Sequence, residues 1–296
     1  MTPIKTAVRK CIKHGLKMLG RDANRTQGNI PSNLLSDGAH ICNFCATIFQ
    51  SSPDQWHPEC LACPECDAIG RERFVYHCLS CELPPTEPKI PYPFVRAHPA
   101  LRASRVLEFS PRYHPHRRSI YEETCLSYQA SDFDCRGHKA DFKLDLTDDQ
   151  DVGLYAGRFD VVICAHVLEH ISDYRAALVN LRRLLSKNGF LILQIPLQEK
   201  SYTQVTWDEF HGDKTRVFHR FAFDIVADLA DIFDSVKVMI AEKIDVVSHP
   251  EINPQKYDYL HSHPDIHPVE AGEQLCRLYG LGPMEYCDAF ILRGSI

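Results

Sequence analysis

Residues 159–196 read FDVVICAHVLEHISDYRAALVNLRRLLSKNGFLILQIP, and this stretch decides the fold. Its first part, Phe159 to Ala165, is a mostly apolar run too short for a globular helix and followed by polar residues, which is how a strand buried on both faces of a parallel sheet reads. A polar turn spans residues 166–173. Tyr174, Ala177, Leu178, Leu181, Leu184 and Leu185 then recur at helical spacing, with Ser172 or Asp173 as N-cap, Arg182, Arg183 and Lys187 towards the C-terminus and Gly189 just past the end. A second apolar run over residues 190–195 closes on Pro196. Strand, helix and strand in this order form a βαβ unit and predict an α/β fold with a parallel sheet.

The same residues carry a family likeness. FDVVICAHVLEH, then a helix, NG and FLILQIP, resembles the fourth and fifth strands of class I S-adenosylmethionine-dependent methyltransferases. Within that superfamily it is most similar to a type 11-like bacterial group with an N-terminal zinc-ribbon segment and a glycine-poor first motif. The resemblance runs over roughly residues 42–238. It implies a Rossmann-like sheet, methyl-transfer activity and S-adenosylmethionine as cofactor.

The chain's 296 residues suffice for one large core and a small accessory domain, and a 44% hydrophobic share is ordinary for a globular protein. No run approaches the ~20 apolar residues of a membrane span. The first thirty residues carry seven Lys or Arg and one Asp, a net of +6 against −6 for the whole, so the remainder carries −12. Such a basic arm suits nucleic acid, an anionic surface or an acidic partner, or is a solvated helix. The acidic remainder lacks the broad basic footprint of a nucleic-acid enzyme. The arm has no continuous apolar core or small-residue cleavage site, so no secretory signal is expected. With thirteen cysteines, reduced thiols or metal ligands and a cytoplasmic location are expected rather than a disulfide framework.

Cys42-x2-Cys45, a gap of seventeen residues and Cys63-x2-Cys66 match the spacing of a structural zinc site, in which four thiolates close a tetrahedron around Zn²⁺. Phe44, Phe49 and Trp56 are candidates for the ribbon's apolar face. A register slip would substitute Cys60 for Cys63, and His57, Cys60, Cys78 and Cys81 can be grouped into a second site. Residues 71–83 read as a helix with Cys78 and Cys81 one turn apart, which also fits buried structural thiols. The family pattern of two arginines after the second knuckle is matched by Arg71 and Arg73, to contact an anionic substrate or acidic residues of the catalytic domain.

The expected organisation is a basic arm over 1–30, a zinc ribbon with its helix over 31–83, a proline-rich linker over 84–103 and a methyltransferase domain over 104–296. In that domain RVLEFSP reads as the first strand, after which the cofactor is expected at the carboxyl ends of the strands. The resemblance places Glu108, Ser110 and Pro111 at the first cofactor turn. Arg112 departs from the acidic residue of the group, and this substitution opens the alternative of a non-catalytic descendant. The resemblance further assigns Asp132 to the ribose hydroxyls, with Asp134 as fallback, and Asp145 to the adenine. A carboxylate suits both tasks because its oxygens accept from hydroxyls and from an exocyclic amine. Each Asp alone also fits a loop cap.

HVLEH formally matches a zinc-peptidase signature, but its first His directly follows a buried strand rather than sitting on a helix. In the resembling family this loop lies beside the transferring methyl group, with Ala165 and His166 at the cofactor. His166 is the candidate base, and Glu169 and His170 brace the loop. Residues 198–219 are expected as an irregular, substrate-covering insertion. His211 is a second catalytic candidate there and His219 its titratable neighbour, while Asp213 and Arg216 resemble an acidic-x-x-Arg element with Lys214 replacing the usual His. Residues 221–233 read as a helix, 236–241 as a strand and 286–292 as a final antiparallel strand. The histidine- and proline-rich stretch 249–268 reads as an extended loop. The expected acceptor is a small molecule or saccharide, with RNA methylation as the rival activity.

Overall fold

The computed structural model describes residues 39–50, 61–83, 99–134, 138–197, 203–210, 215–240, 269–271, 276, 278–281 and 289–294. The N-terminal part holds a short antiparallel pair, β1 (Ala39–Ile41) and β2 (Ile48–Gln50), followed by helix α1 (Gly70–Glu82). Then come β3 (Arg105–Phe109), α2 (Pro115–Thr124), β4 (Ser127–Asp132), β5 (Phe142–Lys143), α3 (Asp149–Gly153), β6 (Phe159–Ala165), α4 (Tyr174–Leu184) and β7 (Leu185–Gln194). The chain continues through β8 (Gln204–Phe210), β9 (Arg216–Arg220), α5 (Ile225–Ile232), β10 (Ser235–Ile240), β11 (Val269–Glu270) and β12 (Ala289–Arg293).

Eight strands form one sheet in the order β11-β10-β12-β7-β6-β3-β4-β5. Strands β3 to β7 run parallel, whereas β12 lies antiparallel between β7 and β10. From β3 the chain first builds outward through β4 and β5, then returns to place β6 on the other side of β3. The order therefore reverses between β3 and β6, and the crevice beyond their carboxyl ends is where an open α/β sheet binds ligands.

The apolar runs of β6 and β7 are buried on both faces, and alternate residues divide between two cores. Val162, Cys164, Leu191 and Leu193 meet Ala177, Leu178 and Leu181 of α4 and Leu229 of α5. On the opposite face Val161, Ile163, Phe190 and Ile192 join Phe74, Val75 and Leu79 of α1 and the knuckle residues Cys42, Phe44, Cys63 and Cys66. The cysteine-bearing segment is thus a covering layer of the sheet. Phe44 and Phe49 are buried as expected, and Trp56 lies outside the described residues.

Arg73 fastens this layer. Its fully buried guanidinium donates to the carbonyls of Leu61, Ala68, Tyr279 and Gly280 and lies over the Phe49 ring, 5.2 Å from its centroid. Arg73 thus spends these donors on main-chain oxygens of two separate segments, 61–68 and 279–280.

The boundaries differ from the sequence reading in three places. Asp173 is the N-cap of α4, its carboxylate accepting from Ala176 N–H, but the helix ends at Leu184 and Leu185 already pairs with Phe159. Gly189 serves close packing rather than a helix cap: a Cβ there would sit 2.8 Å from the Phe159 carbonyl oxygen. The insertion before α5 includes an antiparallel ribbon, β8 with β9, and α5 begins only at Ile225. Phe221 instead bridges to Leu197.

Candidate active site and metal centre

A cavity of about 1050 Å³ opens over the carboxyl ends of β3, β4 and β6. Glu108, Ser110, Pro111, Asp132, Asp145, Ala165 and His166, seven residues separated by up to 58 positions, all line it. Two of them turn the chain out of the sheet in the left-handed region, Ser110 with φ 47° after β3 and His166 with φ 56° after β6. Each keeps one further rung of the ladder, Ser110 N–H donating to Ser131 O and His166 N–H to Gln194 O, both at 2.8 Å. Backbone strain of this kind costs about 1–2 kcal/mol per residue and persists where surrounding hydrogen bonds enforce it.

The residues present fit S-adenosylmethionine. Asp132 is buried at the end of β4, and its Oδ1 accepts from Asp134 N–H at 2.9 Å. Its Oδ2 accepts no hydrogen bond among the described residues. A buried carboxylate oxygen without a donor is costly, and a ribose hydroxyl in the cavity supplies one. His138 was missed by the sequence reading: its Nδ1 is 3.1 Å from the Pro111 carbonyl and its Nε2 3.7 Å from Asp132 Oδ2. Asp145 forms a turn, accepting from Thr147 N–H and Oγ1–H at 2.8 and 2.7 Å. Glu108 accepts from Tyr128 O–H at 2.7 Å, and burial holds its carboxyl above the ordinary range.

Opposite the cofactor residues the wall comes from elsewhere: Arg71, Val75 and Tyr76 of α1, Thr215 and Phe218 around β9, and Gln194 at the end of β7. Between the two sides lies the HVLEH loop. Glu169 is 1% exposed, and neither carboxyl oxygen has a hydrogen-bond donor among the described residues. Its Oε1 stands 3.6 Å from His166 Nδ1 and 3.8 Å from His170 Nε2, and burial pushes its carboxyl up to about 7. His170 Nδ1–H donates to Arg216 O at 2.7 Å and ties this loop to β9. His219 is not part of the cavity: it is buried, with Nε2 2.9 Å from Ser172 O and its ring against Tyr174 and Phe221. His211, Asp213 and Lys214 lie outside the described residues.

Cys42, Cys45, Cys63 and Cys66 converge, with all four sulfurs within 4.8 Å of one another. The Cys42–Cys66 and Cys45–Cys63 separations of 3.6 and 3.5 Å are close to the ~3.8 Å edge of a tetrahedron with ~2.3 Å metal–sulfur bonds. The two knuckles are built alike. Ala46 and Asp67, each just after the second cysteine, take φ 67° and 56°, and their N–H groups return to Cys42 O and Cys63 O at 2.9 and 2.8 Å. Hydrogen bonding from Cys42 holds Cys45 down to about 7 and also lowers Cys63, whereas hydrogen bonding with Cys45 raises Cys42 and with Cys42 raises Cys66. Among the described residues no second group forms: Cys78 is buried in the α1 core, Cys81 is exposed with Sγ 3.6 Å from His77 Nε2, and His57 and Cys60 lie outside them.

Arg112, the departure in the first cofactor turn, is directed at the ribbon. Its guanidinium contacts Asp67 at 2.9 Å and Glu72 at 3.3 Å, and Glu72 also holds Arg117 at 2.6 Å. The turn that lines the cavity is thereby clamped to the second knuckle and the start of α1.

A family model described as a methyltransferase domain matches residues 88–234. No curated protein matches the chain. Among solved structures, trans-methyltransferase CalH in complex with SAH is similar at 26% identity over 32% of each chain, with a TM-score of 0.26. The 1,6-didemethyltoxoflavin-N1-methyltransferase of Burkholderia thailandensis is similar at 14% identity over 45% of this chain and 60% of that one, with a TM-score of 0.33. A SAM-dependent methyltransferase of Archaeoglobus fulgidus is 14% identical over 65% of this chain and 86% of that one, with a TM-score of 0.34. The chain spans about a third of the length of the first of these and three fifths of the second. Residues 88–234, laid over a sheet whose order reverses at the cavity, are thus a methyltransferase domain.

Proposed function

We propose that this protein transfers the methyl group of S-adenosylmethionine to a small-molecule acceptor, saccharides included, and that a structural zinc ion on Cys42, Cys45, Cys63 and Cys66 holds one wall of the site. The observation that carries the cofactor assignment is the donorless Oδ2 of the buried Asp132 at the cavity. The cavity supports a small acceptor. At about 1050 Å³ it stands at the upper end of the ~300–1,000 Å³ of ordinary ligand sites, which leaves room for a second molecule beside the cofactor.

When bound, the cofactor supplies an electrophilic methyl group on a sulfonium. The chain's own contribution is alignment and proton removal. Asp132 accepts from the ribose hydroxyls, Ser110 and Pro111 present the backbone of the turn, and Asp145 stands at the adenine. His166 takes the acceptor's proton, while α1 and Phe218 border the acceptor half. Arg112 does not argue for a non-catalytic descendant, because its charge is engaged by Asp67 and Glu72.

Isothermal titration with S-adenosylhomocysteine tests this reading. Wild-type protein should bind, and Asp132→Ala should weaken binding by roughly 10–100-fold, the worth of charge-assisted hydrogen bonds of ~1.5–3 kcal/mol. No binding to the wild type would refute the assignment.

A further inference from the structure

His138, in the connection from β4 to β5, lines the cavity and meets the turns after both β3 and β4. Its Nδ1 lies 3.1 Å from the Pro111 carbonyl oxygen and its Nε2 3.7 Å from Asp132 Oδ2. A carbonyl only accepts, so Nδ1 carries the proton, and the neutral ring then presents a lone pair at Nε2. The other tautomer would set two acceptors against each other at 3.1 Å. The anchor is itself held, because Arg112 of the same turn is engaged by Asp67 and Glu72. At the far nitrogen a demand is left. Nε2 and Asp132 Oδ2 are both acceptors, 3.7 Å is too long for a hydrogen bond, and Oδ2 accepts none among the described residues. The Asp132 side chain is 10% exposed and the His138 side chain 41%, so the pair sets a buried oxygen beside a ring that borders the cavity. Two adjacent O–H donors satisfy such a pair, and a ribose carries them on neighbouring carbons.

We infer that His138 is a cofactor-binding residue: its Nε2 accepts from one ribose hydroxyl of S-adenosylmethionine while Asp132 accepts from the other. This deepens the proposed function and rests on it, dividing between two side chains the diol that Asp132 alone would otherwise receive. It also gives the glycine-poor first turn a task. Pro111 has no N–H to offer a ligand, and its carbonyl instead fixes the tautomer of the ring that meets the ribose. An imidazolium is the competing state, since a proton on Nε2 would turn that nitrogen into a donor aimed at Asp132 and leave the hydroxyl without an acceptor.

The test is calorimetric titration of the full chain, wild type and His138→Ala, at about pH 8, where an ordinary histidine is neutral. The ligands are S-adenosylhomocysteine and its 2′-deoxy and 3′-deoxy analogues. His138→Ala should weaken S-adenosylhomocysteine binding by about 3–10-fold, the worth of one neutral hydrogen bond. With the analogue that lacks the hydroxyl facing His138, wild type and variant should bind equally, and with the other analogue the gap should persist. A gap of the same size with all three ligands would give His138 a merely structural role, and no gap with S-adenosylhomocysteine, or tighter binding by the variant, would show that the ring receives no hydroxyl. Each of these overturns the assignment. Should His138→Ala misfold, ¹⁵N NMR of the wild-type complex decides: the His138 ring should be neutral with its proton on Nδ1, and its Nε2 resonance should differ between S-adenosylhomocysteine and one of the deoxy analogues. A doubly protonated ring, or one indifferent to both analogues, equally overturns it. Absence of S-adenosylhomocysteine binding in the wild type is a distinct result, which removes the methyltransferase reading and the His138 assignment with it.

Discussion

Glu169 is costly where it stands, and the cost has a pH signature. Its carboxyl titrates near 7 in the folded chain because burial disfavours the charge, against about 4.5 in the unfolded chain. Between those values the native state holds the extra proton, so stability falls as pH rises through this window and the full penalty stands above it. The difference corresponds to roughly 3 kcal/mol for a fully buried group. Glu169→Gln should therefore stabilise the protein by up to about 3 kcal/mol at pH 8 and by little at pH 4. Urea denaturation of both proteins at the two pH values measures this. Equal stability differences at both pH values would show that packing, not ionisation, sets the effect.

At the scale of elements, the hairpin-like return from α4 into β7 depends on one absent methyl group. Gly189 lies where a Cβ would meet the Phe159 carbonyl at 2.8 Å and the Ser186 backbone at 3.1 Å, and these are backbone atoms that cannot rotate aside. Gly189→Ala should cost about 1–3 kcal/mol by forcing β6 and β7 apart at that end, read as a lower denaturation midpoint with an unchanged slope. Asp160 of β6 staples the same end, accepting from Arg105 N–H and guanidinium on β3 and from Ser186 O–H on β7. The Arg105 hydrogen bond holds its carboxyl down to about 2. The exposed pair contributes at most about 1 kcal/mol, present above pH ~4 and lost as pH falls towards 2. What the sequence made legible follows the same logic. β3, β6 and β7 were readable because burial on both faces leaves an unbroken apolar run, and the knuckles because four cysteines in two CxxC pairs carry their own spacing. The β8–β9 ribbon was not readable, since its pairing is set by tertiary placement. Nor was the task of Arg73, whose carbonyl partner on Tyr279 is 206 residues away. Glu108, Asp132 and Asp145, which line the cavity, were singled out by their order along the chain, whereas the burial of Glu169 needed the whole loop in place.

Across the whole molecule, the cysteine cluster and the cofactor turn belong to one mechanical unit. The apolar cluster on one face of the sheet contains Cys42, Cys63 and Cys66 together with Val161 and Ile163 of β6, so the knuckles have no separate core of their own. Asp67, directly after the last cysteine, and Glu72, in the first turn of α1, hold Arg112 of the turn after β3, and α1 itself supplies Arg71 and Tyr76 to the cavity wall. Metal binding to such a cluster is folding free energy, because the ligands converge only in the folded chain. Cys63→Ser should therefore loosen the second knuckle, release Arg112 and lower the fraction of molecules with the turn in its binding form. If that fraction drops to about a tenth, apparent affinity for S-adenosylhomocysteine falls about tenfold although no cofactor contact has been altered. Calorimetric titration of the variant, alongside zinc content by elemental analysis and amide exchange across residues 61–83 and 105–112, distinguishes the outcomes. Raised exchange in both segments with weakened binding is expected. Raised exchange confined to residues 61–83 with full affinity would mean that the ribbon is a passive cover and that the turn after β3 keeps its own shape.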